Sequence, residues 1–393
     1  MIDLLNKSID EMPGLSYVCD CGKTHSVDIK KIIVRGDIPA ILAEELEPYR
    51  SGKLFVISDP NTYEVLGKRV VQKLEGNGFN LKNFVFEGGH TLVPDERAVG
   101  RLLLELEEGT SLIVAVGSGT LNDLARIISY KTKTPFAIIG TAPSMDGFAS
   151  SSSSLIINGI KITCPAVYPA IIFADTSVMK DAPMEMIQAG YGDIIGKLTA
   201  KADWDLAAVK DNEYFCDTTS KLVQNGVAKC IESAEGLVNR DEAAIKKLVE
   251  ALILTGVSMG LVNFSRPASG AEHLMSHHWE MDAVAAGREH QLHGNAVGTA
   301  TVISALLYEM TEEKLPGVLP KGLAYPSSEY IISLLNKVGA CTSPKELGIS
   351  RELFKSSVLY AKRLRFKYTI LNLLDEHGKL QEFSEALVRR FYD

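Results

Sequence analysis

Along the first 176 residues, short β-branched runs alternate with stretches whose apolar residues recur at helical spacing. The runs fall at 31–35, 54–58, 83–86, 111–116, 135–139, 155–157 and 170–174, and helical patterns such as 60–75 and 96–107 lie between them. Strands that read as nearly continuous apolar runs, each followed by a helix, are the sequence form of a parallel sheet with crossover helices. From about Ser177 onward the strand signal ends. Long amphipathic patterns at 187–209, 220–239, 241–264 and 291–309 take its place, so the second half reads as all helical. The expected organisation is a Rossmann-like α/β domain over residues 1–176 and an all-α domain over 177–393, with the boundary near Asp175-Thr176-Ser177-Val178. No internal repeat appears, and the one low-complexity run is Ser150 to Ser154.

Composition narrows what such a chain can do. At 393 residues, with 46% hydrophobic and 23% charged positions, it can bury a large core in two domains. The formal net charge of −8 argues against non-specific nucleic-acid binding, which needs concentrated basic surface, although a small anion could still be held locally. The first residues lack the basic-then-apolar order of a secretory signal. The most apolar stretch, 251–264, is shorter than the ~20 residues a bilayer requires, so no membrane span is expected. Six cysteines are scattered without a repeating framework, which reads as reduced thiols in a cytoplasmic protein. Cys19-Asp20-Cys21-Gly22-Lys23-Thr24-His25 looks like half of a zinc knuckle. A structural zinc site needs four ligands, and no second cluster is spaced to supply them, so the segment is expected to be a surface hairpin whose turn is set by Gly22.

The histidines change the picture. Five of the 8 lie between positions 273 and 293, where random placement would put fewer than one. A helix carrying His273 and His277 at i and i+4 points both imidazoles along one face, and a second segment ending in His293 could close a metal site from across a groove. His277, His278 and His290 are rivals, since a cleft wall can also carry uncoordinated imidazoles. A carboxylate should complete the site. The best placed is Asp193, a lone acid in the apolar, glycine-bearing run Gly190-Tyr191-Gly192-Asp193-Ile194-Ile195-Gly196.

Earlier in the chain, the 111–116 strand runs into Gly117-Ser118-Gly119-Thr120-Leu121-Asn122-Asp123 and then a helix. Glycines there let a backbone approach a pyrophosphate held by free helix amides, but the third glycine of the usual pattern is Asn122, and a glycine pair can serve packing alone. Asp59 follows the 54–58 strand, where a carboxylate can accept hydrogen bonds from a ribose diol or simply begin a helix before Pro60. Thr141-Ala142-Pro143-Ser144-Met145-Asp146-Gly147-Phe148-Ala149-Ser150 also follows a strand end and is a loop suited to mounting binding groups.

With Gly117 to Asp123, Thr141 to Gly147, Gly192-Asp193, Ala271-Glu272-His273 and Leu292-His293-Gly294 in this order, the chain resembles the iron-containing alcohol dehydrogenase, glycerol dehydrogenase and dehydroquinate synthase superfamily. Within it the sn-glycerol-1-phosphate dehydrogenase family is the nearest match, on Thr141 to Ser150, Arg266 to His273 and Arg365 to Leu371, so the matched segments run from about residue 30 to 371. The resemblance implies a nucleotide-binding domain followed by a helical metal-binding domain, with a divalent metal in the cleft between them. It implies Asp193, His273 and His293 as metal ligands and catalytic centre, with zinc or nickel expected ahead of iron, although Asp and His suit all three. It places NAD(H), with NADP(H) as second choice, on Asp59, Gly117, Ser118, Gly119, Thr120, Leu121, Thr141, Ala142, Pro143, Ser144 and Ser150, and substrate on Asp146, Asp193 and His277.

The implied reaction interconverts dihydroxyacetone phosphate and sn-glycerol 1-phosphate, a backbone for phospholipid synthesis. Alternatives are a glycerol dehydrogenase-like enzyme on an unphosphorylated polyol, a dehydroquinate synthase-like lyase, and a non-catalytic protein on the same scaffold. Arg266, Lys197 and Lys201 are candidate phosphate ligands. The resemblance also implies a homo-oligomer, a dimer or larger. One departure stands out: Asn295 occupies a position where relatives often carry Glu, two places after the third histidine.

Overall fold

The structure is a computed structural model and describes residues 4–88 and 92–393. Ahead of the main sheet lies a short antiparallel hairpin, β1 (Ser16–Val18) and β2 (Thr24–Ser26). The sheet itself has six parallel strands: β3 (Lys31–Arg35), β4 (Lys53–Ser58), β5 (Leu81–Val85), β6 (Thr110–Gly117), β7 (Phe136–Gly140) and β10 (Ile171–Asp175), in the spatial order β3-β10-β7-β6-β4-β5. A second hairpin, β8 (Ser152–Ile157) with β9 (Ile160–Pro165), is antiparallel and stands apart from it.

The central strands carry continuous apolar runs, such as Leu54 to Ile57 and Leu112 to Val116, because both faces of the sheet are covered there. Side chains alternate between the faces with the two-residue period of a strand. Leu54, Val56, Leu112, Val114, Val116, Ile139 and Phe173 pack on one side with Val70 and Leu74 of helix Lys68–Gly76. Phe55, Ile57, Ile113, Ala115, Ile138 and Ile172 face the other side, into a core continuous with the helical half of the chain. Helices begin at once after β10, with Thr176–Met179 and then the 27-residue helix Met184–Lys210. Asp217–Glu232, Glu242–Val262, Ala271–Ala285 and His293–Lys314 follow. Among the described residues no helix is long and apolar enough to cross a membrane.

The topology fixes where a ligand can sit. From β4 the chain goes outward to β5, then crosses back to place β6 on the other side of β4, so the direction of winding reverses between β4 and β6. A parallel sheet opens a crevice at the carboxyl ends of its strands at such a reversal. Asp59 and the 117–121 turn flank it, and the amide of Thr141 at the end of β7 donates to the carbonyl of Gly117 (3.0 Å).

Two expectations need correction. The 155–157 run does not join the parallel sheet: with the serines from 152 onward it forms β8 of the separate β8–β9 hairpin, whose alternating pattern fits a ribbon partly buried on one face. The β1–β2 segment is a hairpin with Gly22 at φ +84°, but it is not a surface one, because Cys19 and His25 are 6% and 1% exposed.

Candidate metal and dinucleotide site

Asp193 and His293 meet because two helices cross with their backbones in contact. A Cβ on Gly294 would lie 1.8 Å from the carbonyl oxygen of Ala189, and one on Gly192 would lie 2.4 Å from that of Gly294. Gly190 sits equally close to the carbonyl of Pro143. Glycine at these positions lets helix Met184–Lys210 touch both helix His293–Lys314 and the loop that follows β7. His273 and His277 arrive on helix Ala271–Ala285. Ring centroids of His273 and His277 are 6.3 Å apart, and each lies 5.3 Å from that of His293.

Ligand atoms of Asp193, His273 and His293 all lie within 4.8 Å of one another, as do those of His277, Glu280 and His293. His293 is thus common to two sets. In the first, the donors are prepared for a cation. His273 turns Nε2 toward Asp193 (3.5 Å to Oδ1), while its Nδ1–H donates to Glu272 (2.9 Å), which fixes the tautomer. Glu272 is itself buried and held by the amide of Gly270 and the hydroxyl of Thr199. His293 Nδ1 is buried without a protein partner, and burial holds this imidazole neutral, far below the ordinary histidine range. In the second set, Glu280 is already paired with Lys161 of β9 (2.5 Å). An Asp–His–His set offering one carboxylate oxygen and two imidazole nitrogens fits a divalent first-row metal.

Charge around Asp193 is tightly arranged. Burial acts to raise its carboxyl, but Lys197 (2.6 Å) and the imidazoles outweigh it and keep Asp193 ionised well below the usual range. The amide of Asp146 donates to its other oxygen (2.9 Å). Lys197 also pairs with the Asp146 side chain (2.8 Å). Burial would lower this lysine; the two carboxylates more than offset that and raise it. Burial, with the charge of Asp193 next, raises Asp146. His277 is pushed down to about 4, chiefly by burial, so it is neutral near pH 7.

The other two of the five clustered histidines lie outside both sets: His278 bonds to Ser356 Oγ (3.0 Å), and exposed His290 turns Nδ1 to the carbonyl of Gln291. A cavity of about 350 Å³ opens beside His293 and is bordered by Glu280, Arg288 and His290. The Asn295 amide reaches the carbonyl of Glu185 (3.3 Å), and its Oδ1 is buried and unpartnered.

At the sheet edge, helix Gly119–Thr132 begins after Ser118 with no side-chain cap on its first amides. Those amides are free to bind an anion. Asn122 stands where a third glycine would be, and it is buried, donating to the carbonyl of Gly147 (3.0 Å). Arg126 bonds the same carbonyl, so the departure from the glycine pattern ties this helix to the 141–150 loop. Thr141, Ala142 and Pro143 are buried in that loop, while Thr120, Ser144 and Asp146 are partly accessible and Leu121 is buried beneath Gly117. The Ser150 hydroxyl is taken by Ser152 (3.1 Å to its carbonyl). Asp59 caps the helix starting at Pro60, its Oδ1 accepting from Thr62 N (2.8 Å).

The candidate phosphate ligands do not stand free. Arg266 is fully buried and held by Glu213 and the carbonyl of Tyr368, Lys197 by two carboxylates, and Lys201 by Asp205 (2.5 Å). Each cation is consumed by a structural partner: Asp193 and Asp205 lie four residues from Lys197 and Lys201 on the same helix, a spacing visible in the sequence, whereas Asp146 and Glu213 are distant along the chain. Sequence reasoning also missed Glu272, Glu280 and Lys161. Glu272 sits beside His273, and that adjacency was its one available signal.

A sequence model of the iron-containing alcohol dehydrogenase family matches residues 36–183. The chain is 33% identical to glycerol-1-phosphate dehydrogenase [NAD(P)+] of Halalkalibacterium halodurans, across 95% of this chain and 100% of that one. It is 34% identical to the Thermococcus kodakarensis protein of the same name, across 86% and 89%. Among solved structures, glycerol dehydrogenase from Schizosaccharomyces pombe superposes with a TM-score of 0.68 at 18% identity, covering 93% of each chain. NADH-dependent butanol dehydrogenase A from Thermotoga maritima does so at 0.67 and 16% identity, covering 91% of this chain and 96% of that one.

Proposed function

The chain belongs to the glycerol-1-phosphate dehydrogenases, within the iron-containing alcohol dehydrogenase family, and from that premise we propose that it interconverts dihydroxyacetone phosphate and sn-glycerol 1-phosphate with NAD(P)(H). The observation that carries the choice of substrate is similarity along the whole length to relatives of that name. The same reading takes residues 1–176 and 177–393 as the working domains, and the cytoplasm as the location. It also includes a homo-oligomer, which sedimentation equilibrium would refute by returning a monomer.

We assign the metal to Asp193, His273 and His293, with zinc or nickel ahead of iron. When bound, the divalent cation supplies Lewis acidity at the substrate oxygen and the nicotinamide supplies the hydride. The chain's own residues do the rest. Glu272 keeps the Nδ1 proton on His273, so Nε2 offers a lone pair to the cleft. Asp146 joins the dinucleotide loop to the metal set through the hydrogen bond its backbone amide donates to the Asp193 carboxylate, which fixes the distance between the two halves of the site. Lys197 pairs with both carboxylates and would keep Asp146 as a partner with Asp193 holding the metal. His277, neutral and stacked on His293, accepts a hydrogen bond from a substrate hydroxyl. Rates with dihydroxyacetone and with its phosphate separate this reading from a polyol dehydrogenase. A higher kcat/KM for the phosphorylated ketone is expected; preference for the unphosphorylated one would overturn it.

Two substitutions test the dinucleotide end. At Gly119 a Cβ would meet only Met145, at 3.6 Å, so Gly119→Val should fold. Its branched side chain would stand where the pyrophosphate approaches, and NADH affinity should fall by about tenfold or more by titration calorimetry. Unchanged affinity would remove the glycine turn from the cofactor site.

Asp59 uses one oxygen as a cap, leaving the other for the ribose diol. A 2′-phosphate would meet it as a like charge, so NADH should be preferred over NADPH by about tenfold in kcat/KM. Asn preserves the cap. Asp59→Asn should therefore narrow the preference mainly by improving NADPH. An unchanged ratio would leave Asp59 as a cap alone.

A further inference from the structure

The hairpin ahead of the sheet carries chemistry that the proposed reaction does not use. Cys19 and Cys21 bracket its turn, which is closed by bonds from Cys19 N to Lys23 O and from Gly22 N to Cys19 O (both 2.9 Å), and His25 lies on β2. The folded chain adds Cys216, the residue before helix Asp217–Glu232 in the helical half. One ligand atom from each of Cys19, Cys21, His25 and Cys216 lies within 4.8 Å of all the others. Cys19 Sγ to Cys216 Sγ is 3.7 Å, Cys216 Sγ to His25 Nε2 is 3.5 Å, and Cys21 Sγ to His25 Nε2 is 3.2 Å.

These three separations are close to the edges of a tetrahedron around one ion. Bonds of about 2.3 Å to sulfur and about 2.0 Å to nitrogen place two sulfurs about 3.8 Å apart and a sulfur and nitrogen about 3.5 Å apart around one ion. A disulfide would need sulfurs at about 2.05 Å. The imidazole is aimed for the purpose: His25 Nδ1–H donates to the carbonyl of Leu261 at the end of helix Glu242–Val262, which leaves the Nε2 lone pair directed at the sulfurs. Cys19, His25 and Cys216 are buried. The Thr219 hydroxyl donates to Cys216 Sγ (3.2 Å) and the Tyr214 hydroxyl lies in hydrogen-bond contact with Cys21 Sγ (3.0 Å), where each would serve as an outer partner of a ligating thiolate.

We propose that Cys19, Cys21, His25 and Cys216 form a second metal site, a closed zinc site separate from Asp193, His273 and His293. Four protein ligands leave no open position, so its role is structural. It clips the N-terminal hairpin to two helices of the other half of the chain. Thiolate-rich sites select zinc over hard cations, unlike the oxygen-bearing Asp–His–His set. On binding, each thiol releases its proton, and three thiolates with a neutral imidazole leave the site with a net charge of −1.

The test separates the sites without reading activity. The full-length His293→Ala protein, compromised at the other site, should retain stoichiometric zinc as purified, and a mercurial thiol reagent should release it. Wild-type protein reconstituted with Co²⁺ should show a thiolate-to-cobalt charge-transfer band in the near ultraviolet. Cys21→Ser, altered at the half-buried ligand and checked for folding by circular dichroism, should lose that band. No zinc in the His293→Ala protein together with no such band in the wild type would overturn the proposal. So would a Cys19–Cys216 disulfide found by mass spectrometry after alkylation.

Discussion

Asp193→Asn and His293→Ala proteins are expected to lose turnover by about 10³-fold or more while still binding NADH within a few-fold of the parent. Lewis-acid stabilisation of a developing alkoxide is worth several kcal/mol, and each 1.36 kcal/mol is tenfold in rate. Each substitution removes one donor from a three-donor set, so stoichiometric metal at that set should go with the activity. The dinucleotide edge should persist, because the 117–121 turn, the end of β7 and Asp59 are held by bonds that involve neither residue. Asp193→Asn keeps the side-chain shape. It leaves Lys197 with Asp146 as its remaining charged partner, so a moderate loss of stability should accompany the loss of metal. Metal analysis, calorimetry with NADH and initial rates decide the matter together. Near-normal rates and bound metal in His293→Ala would remove His293 from the ligand set. Both sets that contain His293 would then fail.

Gly294→Ala should be among the most damaging single-methyl additions in the chain, with a cost of roughly 3 kcal/mol or more. On helix propensity alone, alanine would be preferred to glycine by about 1 kcal/mol. The crossing reverses the sign: the new methyl would sit 1.8 Å from the Ala189 carbonyl oxygen and 2.5 Å from its carbon, both backbone atoms with no rotamer to change. Separating the helices would also move His293 away from Asp193, so metal affinity should fall along with stability. Gly100→Ala is the control. Gly100 lies within helix Glu96–Glu105 with nothing near its Cβ position, and that substitution should stabilise by about 0.5–1 kcal/mol. Urea denaturation of the two variants should give opposite signs. A Gly294→Ala protein as stable as the parent would mean that the helices do not touch there.

How far the sequence revealed this molecule depended on whether the signal was local. The four inner strands of the sheet stood out because burial on both faces writes an unbroken apolar run, as in Leu112 to Val116, and the edge strands β3 and β5 showed as shorter β-branched or aromatic runs. Of the β8–β9 ribbon only 155–157 was read as a strand, because the first half of β8 is serine and β9 is largely open to solvent. The crowding of histidines marked the region around His273 and His293, and Asp193 drew notice as a lone acid among apolar residues. The resemblance, and not spacing, singled out His273 and His293 from His277 and His290. Glu272 escaped assignment because an acid in a helix normally faces water, and only the packing of Thr199 and Gly270 around it reveals a buried carboxylate. One partner of Lys197, Asp193, lies four residues before it and was legible as an i,i+4 pair, but the other, Asp146, is distant along the chain. Arg266 looked available because its partner Glu213 lies 53 residues away. Cys216, 197 residues beyond Cys19, was out of reach for the same reason.

The stereochemistry of the product tests the proposed reaction most directly. With dihydroxyacetone phosphate, NADH and the metal-loaded protein, chiral analysis should find sn-glycerol 1-phosphate alone, because the cleft presents one face of the ketone to the cofactor. The opposite enantiomer, a mixture of both, or no reduction of the phosphorylated ketone would contradict it.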